Sequence, residues 1–168
     1  MASFDIPGSP SASFDKAAIV AYINSLPPQR KWWEGGKKFA FNFGWKEIYA
    51  YDGWTCIYCG KDLIEHEDIV ATSTEEHLVP QSLFITSAEA NTENNVVACC
   101  AGCNGLKGPA VPPPSDPAWN SRKEYIAGAR EYIIKRRVDR ITQYAQYVAV
   151  SKIKRLFPSP TNRLLDYV

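Results

Sequence analysis

Four of the five cysteines in this chain fall into two Cys-x-x-Cys pairs, Cys56/Cys59 and Cys100/Cys103. Four thiolates so spaced are the usual ligand set of a closed tetrahedral site for structural Zn2+. One such pair also suits thiol–disulfide exchange, but redox chemistry leaves the second pair without a purpose. Zinc held in this way contributes folding energy outright, because the unfolded chain has no preformed site. Cys99, next to a ligand position, reads as a small buried hydrophobe.

The interval between the pairs carries further information. A simple zinc ribbon separates its pairs by roughly 15–20 residues, whereas residues 60–99 intervene here, so something is inserted. The insert contains Glu75-Glu76-His77-Leu78-Val79-Pro80-Gln81-Ser82 and Asn94-Asn95-Val96-Val97. The second pair then runs into Asn104-Gly105-Leu106-Lys107-Gly108. Histidine, with an unperturbed pKa of about 6.5, accepts a proton from water near neutral pH. The sequence has two. His66, among Glu65, Glu67 and Asp68, reads as exposed and structural, which leaves His77 as the candidate base.

Glu76-His77-Leu78-Val79-Pro80, Asn95 ahead of the second cysteine pair, Asn104 beside its last cysteine, and Lys107-Gly108 together resemble the HNH endonuclease family. Asp52 through Gly60 is similar to that family's usual lead-in. The resemblance covers roughly residues 48–108, and the flanks match nothing recognisable. It implies an α+β fold: a ββα-metal (HNH, or His-Me finger) core with a zinc-ribbon-like knuckle. It also implies His77 as general base, and Glu76 and Asn104 as hard oxygen ligands for Mg2+ or Mn2+ rather than zinc. That ion would act as Lewis acid and stabilise the leaving 3′ oxygen. By the same resemblance Asn95 fixes the loop and the His77 ring, unless it only structures the loop. Lys107 either holds a phosphate as a point charge or is a solvated lysine.

Two features depart from or refine the pattern. The residue before the histidine is often Asp in this family. Glu76 has one more methylene, which alters geometry at an ion that demands near-ideal octahedral coordination and so favours a weakened or Mn2+-preferring site. Glu75 is no obvious substitute, since neighbours on an extended strand face opposite ways. Asn104 gives the His-Asn-Asn variant, which resembles the nuclease lobe of RNA-guided CRISPR effectors and phage junction resolvases.

These residues need elements to position them. Residues 1–12 read as a loose tail, and 13–50 as an N-terminal helical region. A helix capped at Ser13 is stopped by Pro27-Pro28, and a short amphipathic helix covers Trp45 to Tyr51. Arg30 through Lys38 interleaves basic and aromatic residues, a pattern that touches nucleic acid in some proteins and forms core in more of them. Residues 51–110 contain the knuckle and nuclease-like core. Within them, Ile69 to Ser73 reads as a β-branched strand, Glu76 to Val79 as a second extended segment and Val96 to Ala98 as a short apolar run. Cys100 to Lys107 forms a helix only if metal and packing offset Gly102 and Gly105. The prolines of 108–118 predict a rigid linker, placed at 111–120 in the domain division. Residues 121–168 predict a long helical segment opening on a Ser121/Glu124 capping box and ending near Phe157-Pro158.

Charge divides the chain. Residues 121–168 carry eleven Lys/Arg against four acids, a net +7, so residues 1–120 carry −6. The basic segment suits a polyanion, with Arg136, Arg137 and Arg140 as candidate phosphate contacts, or it is a solvated helix face. The leading expectation is a DNA endonuclease acting on duplex or branched DNA, with a homodimer as one arrangement for cutting both strands. The alternative is a zinc-stabilised DNA-binding module without cleavage. A protein-interaction zinc domain leaves the +7 segment unexplained. No apolar run approaches the ~20 residues of a membrane span, and no secretory leader is evident, so the expected location is the cytoplasm.

Overall fold

The structure, a computed structural model, describes residues 16–38, 45–84, 86–114 and 116–156. Helix α1 (Lys16–Ser25) buries Ile19 and Ile23, one turn apart, and stops before Pro27-Pro28. Ser13, its expected cap, lies outside the described residues, as does the tail. Two 3-10 turns follow, Pro28–Arg30 and Trp32–Glu34. Trp33 is fully buried with its ring 5.6 Å from that of Trp119, so the aromatic half of this basic-aromatic run is core. Helix α2 (Trp45–Tyr51) forms as expected and buries Ile48 and Tyr49.

The strand expected over Ile69 to Ser73 is instead a helix, α3 (Glu67–Thr72). Its cap outweighs its β-branched content: the His66 ring accepts from the Asp68 N–H at 3.3 Å, and Glu67 and Asp68 occupy the positive first turn. His66 is otherwise exposed, as expected. Strand β1 (Ser73–His77) pairs antiparallel with β2 (Val96–Cys100), in register from Ser73↔Cys100 to His77↔Val96. A two-stranded sheet is marginal alone. Here α2 packs on β2, and α5 (Ala101–Lys107) packs on both strands. Helix α5 carries two glycines at a cost of about 1 kcal/mol each. It ends where Gly108, at φ 54°, turns its N–H back to the Asn104 carbonyl at 2.8 Å.

The proline-rich stretch is not a free linker. Ala110 and Val111 are buried, and the Trp119 indole N–H donates to the Pro112 and Pro113 carbonyls, each at 3.1 Å. A buried indole offers a donor that needs a partner, and proline carbonyls, unpaired in any ladder, supply it. Half of the expected capping box forms: Glu124 N–H donates to Ser121 Oγ at 3.2 Å, while the Glu124 carboxylate accepts from that hydroxyl at 3.0 Å rather than from the Ser121 N–H. Helix α6 (Arg122–Leu156) buries Tyr125, Ile126, Ala129, Tyr132 and Ile133.

The chain divides into two units, residues 1–134 and 135–168, so the boundary falls inside α6 and the first turns of the basic segment belong to the first unit. In the second unit Val138, Ile141, Tyr144 and Tyr147 are exposed. The expected helix end at Phe157-Pro158 lies just beyond the described residues. The class is α+β, and no described helix is long and apolar enough to cross a membrane.

Candidate functional site

The knuckle is built by backbone turns. Gly53 (φ 63°) and Trp54 (φ 58°) reverse the chain after α2, and Gly60 (φ 72°) closes a loop in which its N–H donates to the Cys56 carbonyl at 2.8 Å. Ile57 N–H donates to Ala98 O at 3.0 Å and so docks the loop on β2. Cys100 ends β2 and Cys103 lies in the first turn of α5. The Sγ atoms of Cys56, Cys59, Cys100 and Cys103 all lie within 4.8 Å of one another, a cluster able to hold a metal ion such as zinc. Hydrogen bonds from Cys103 and Cys99 pull the Cys56 thiol far down. Its thiolate and burial in turn push Cys103 far up. Cys56 ionises readily while Cys100 and Cys103 are pushed toward the protonated thiol, a conflict that a dication resolves. Cys99 is buried outside the set, and its hydrogen bond to Cys56 together with burial pushes its thiol far up, as an inert hydrophobe requires.

The residues predicted to do chemistry sit at the open end of β1 and on α5. The half-buried His77 ring places Nε2 2.8 Å from Asn91 Oδ1. An amide oxygen only accepts, so Nε2 carries the proton and Nδ1 keeps its lone pair. Thr74 and Glu76 share the opposite face of β1, and α5 meets both of them. Asn104 Nδ2 donates to Thr74 Oγ1 at 2.8 Å, and Lys107 Nζ lies 2.5 Å from Glu76 Oε1. The structure therefore brings Glu76 and Asn104 to one strand–helix seam, while the His77 ring bonds to neither. What links them is Lys107, whose ammonium also donates to the His77 carbonyl at 3.0 Å.

Asn95 is fully buried and makes a complete set of bonds. Its Oδ1 accepts from Val79 N–H at 2.9 Å, and its Nδ2 donates to Val79 O at 3.1 Å and Ala90 O at 2.9 Å. It braces the turn after His77 but does not touch the ring; Asn91 does that. Asn95→Ala leaves the Val79 N–H and carbonyl unsatisfied in a dry site, while Ala90 O keeps its bond from Thr92 N–H. Unpaired buried groups cost about 1–3 kcal/mol each, and the expected loss in urea unfolding is about 2–4 kcal/mol. A change below 1 kcal/mol would show that water enters this turn.

Lys107 is not a phosphate contact. Its side chain is 0% exposed, and an ammonium without surface cannot reach DNA. Burial lowers its pKa and the adjacent Glu76 carboxylate opposes that shift. Two cations of the basic segment also serve the fold. Arg122 donates to Asn94 O at 3.0 Å and lies 3.5 Å from Asp52 Oδ1, and Arg130 donates to Ile57 O at 2.6 Å. Arg136, Arg137 and Arg140 have exposed side chains in the second unit.

Sequence reasoning missed Asn91, Thr74 and Asp52. Asp52 was read only as the start of the lead-in to the first cysteine pair, yet its carboxylate accepts from Ala98 N–H at 2.7 Å. Burial raises its pKa, against that bond and Arg122. Asn91 carried no signal beyond its place in a polar loop. No family model, no curated protein and no solved structure matches this chain.

Proposed function

We propose that the chain is a metal-dependent HNH-type endonuclease that hydrolyses DNA phosphodiester bonds. One observation carries the reading: a two-stranded hairpin and helix, clamped at one end by four cysteines, present at the other an imidazole whose tautomer is set for accepting a proton. The order β1–β2–α5 supports the reading, since the motif resemblance implies two strands followed by a helix. In this reading His77 Nδ1 takes a proton from the attacking water while Asn91 holds the ring, and Asn95 keeps the following turn rigid. The cysteine cluster holds zinc, which anchors β2 to α5.

The donor set for a second ion is Glu76 and Asn104. Glu76 gives one oxygen to Lys107 and keeps the other, and Asn104 uses its amide nitrogen on Thr74 and keeps its carbonyl oxygen. Two hard oxygens fit Mg2+ or Mn2+, which take one or two protein ligands and complete the shell with water and phosphate. An ion bound there would lie on the face of β1 opposite His77, so the two would meet only on a phosphate at the end of the strand, where the ion would supply Lewis acidity to the leaving oxygen. Arg136, Arg137 and Arg140 serve as backbone contacts.

A specific observation favours a second reading. The Lys107 ammonium already neutralises Glu76, so the chain folds around a fixed cation and works as a zinc-stabilised DNA-binding module without cleavage. Incubating the zinc-loaded protein with supercoiled plasmid separates the two. The nuclease reading expects relaxed or linear product that depends on added Mg2+ or Mn2+. DNA retarded in a gel but intact with either ion supports the second reading, and neither retardation nor cleavage contradicts both.

A further inference from the structure

A cleft of about 240 Å3 opens between α2, the knuckle, α3 and β1. Tyr49, Trp54, Leu63, Ile64 and Val70 give it apolar and aromatic walls, and Ser73 and Glu75 supply its polar groups. The Tyr49 and Trp54 ring centroids are 5.9 Å apart with the planes inclined at 48°. Trp54 is held at φ 58°, a conformation that bulky side chains rarely adopt, so the backbone is strained where it aims this ring. Ile64 and Val70 are 54% and 43% exposed, apolar surface that nothing in the described fold covers. The Glu75 side chain makes no hydrogen bond or ion pair among the described residues.

Position and charge narrow the occupant. Side chains alternate along a strand, so Ser73, Glu75 and His77 share one face of β1, and Glu75 lies about 7 Å along the strand from His77. A carboxylate at the rim repels phosphate, so the nucleic-acid backbone does not enter. The volume lies below the range of about 300–1,000 Å3 typical of drug-sized ligands and suits one ring system. Aromatic faces stack any base, whereas an acceptor-only carboxylate selects for amino donors. The Tyr49 pKa, raised to about 12 by burial and then by Glu75, keeps its hydroxyl neutral.

We propose that this cleft binds one unstacked nucleobase bearing an exocyclic amino group (cytosine, adenine or guanine), with Trp54 and Tyr49 as its walls and Glu75 as acceptor. This inference rests on the nuclease reading for its substrate: a base drawn out of the stack beside His77 would direct cleavage to unpaired or distorted DNA.

The test compares duplex oligonucleotides carrying a single unpaired cytosine, adenine, thymine or abasic site, bound to the zinc-loaded full chain without added divalent ion. Cytosine and adenine are expected to bind about tenfold or more tighter than the abasic site, the scale of one stacked base, with thymine between them. Glu75→Ala should erase the advantage over thymine. Val70→Trp, which fills the cleft from an exposed position, should erase the advantage over the abasic site. Free cytidine at millimolar concentration should shift the Trp54 indole resonance in an NMR spectrum. Equal affinity for all four duplexes overturns the proposal, as does preferential binding of a methylammonium probe, the other occupant of an aromatic cleft with a carboxylate. Plasmid cleavage by the same preparation keeps the two readings apart. Base preference without cleavage sinks the nuclease and leaves the cleft, and cleavage without base preference does the reverse.

Discussion

Removing the metal from the four-cysteine cluster, or replacing Cys103 with serine, is expected to unfold the first unit. Structural zinc sites contribute apparent free energies of about 10–16 kcal/mol in small domains at neutral pH. Native domains have only about 5–15 kcal/mol in total. The local sequence offers no reserve, because α5 carries Gly102 and Gly105 and, among the described residues, the sheet has two strands. The cluster joins the knuckle, the end of β2 and the first turn of α5, so its loss releases all three together. Circular dichroism after chelation should show loss of the cooperative transition, and metal analysis should find one zinc per chain beforehand. A chelated protein with an unchanged melting curve would show that the thiols pack without a metal.

Breaking the Lys107–Glu76 pair has the next largest expected effect. Lys107 is 0% and Glu76 10% exposed in their side chains, and among the described residues no second cation pairs with Glu76. Tyr58 and Tyr125 lie near it, and burial, reinforced by Glu76 itself, keeps both hydroxyls neutral. Removing one partner of a buried pair typically costs about 3–5 kcal/mol, while replacing both with apolar residues is often neutral. Lys107→Met should therefore lose about 3–5 kcal/mol in urea unfolding, and Lys107→Met with Glu76→Leu should recover most of it. Millimolar Mn2+ should partly restore the single variant, because an ion that binds only the folded state stabilises it. A single variant within 1 kcal/mol of wild type would show that Glu76 reaches water or another cation, and the double variant would then carry no information about the pair.

How far the sequence discloses this molecule follows from the range of each interaction. The cysteine cluster, α2, α5 and the helix cap at Ser121 are legible because the spacing of a few residues decides them. Helix α3 is not legible in its β-branched run, because the decision lies in the His66 cap and first-turn acids. Lys107 looks like a surface lysine in a Lys-Gly pair, and only the packing of α5 on β1 turns it inward to Glu76, 31 positions away. The pairing of His77 with Asn91 spans a polar loop whose path no local pattern specifies. Prolines 112 to 114 suggested a spacer because proline stiffens a chain, yet stiffness is compatible with burial once Trp119 takes their carbonyls.

The most direct measurement is the rate of plasmid nicking by zinc-loaded wild type and His77→Ala at saturating Mn2+. The half-buried His77 ring makes one side-chain hydrogen bond, to Asn91, so its removal should leave zinc content and melting unchanged. General-base catalysis contributes about 10²–10⁴ in rate, and the account predicts a loss on that scale. Nicking by His77→Ala at the wild-type rate would remove the imidazole from the chemistry and contradict the proposed function.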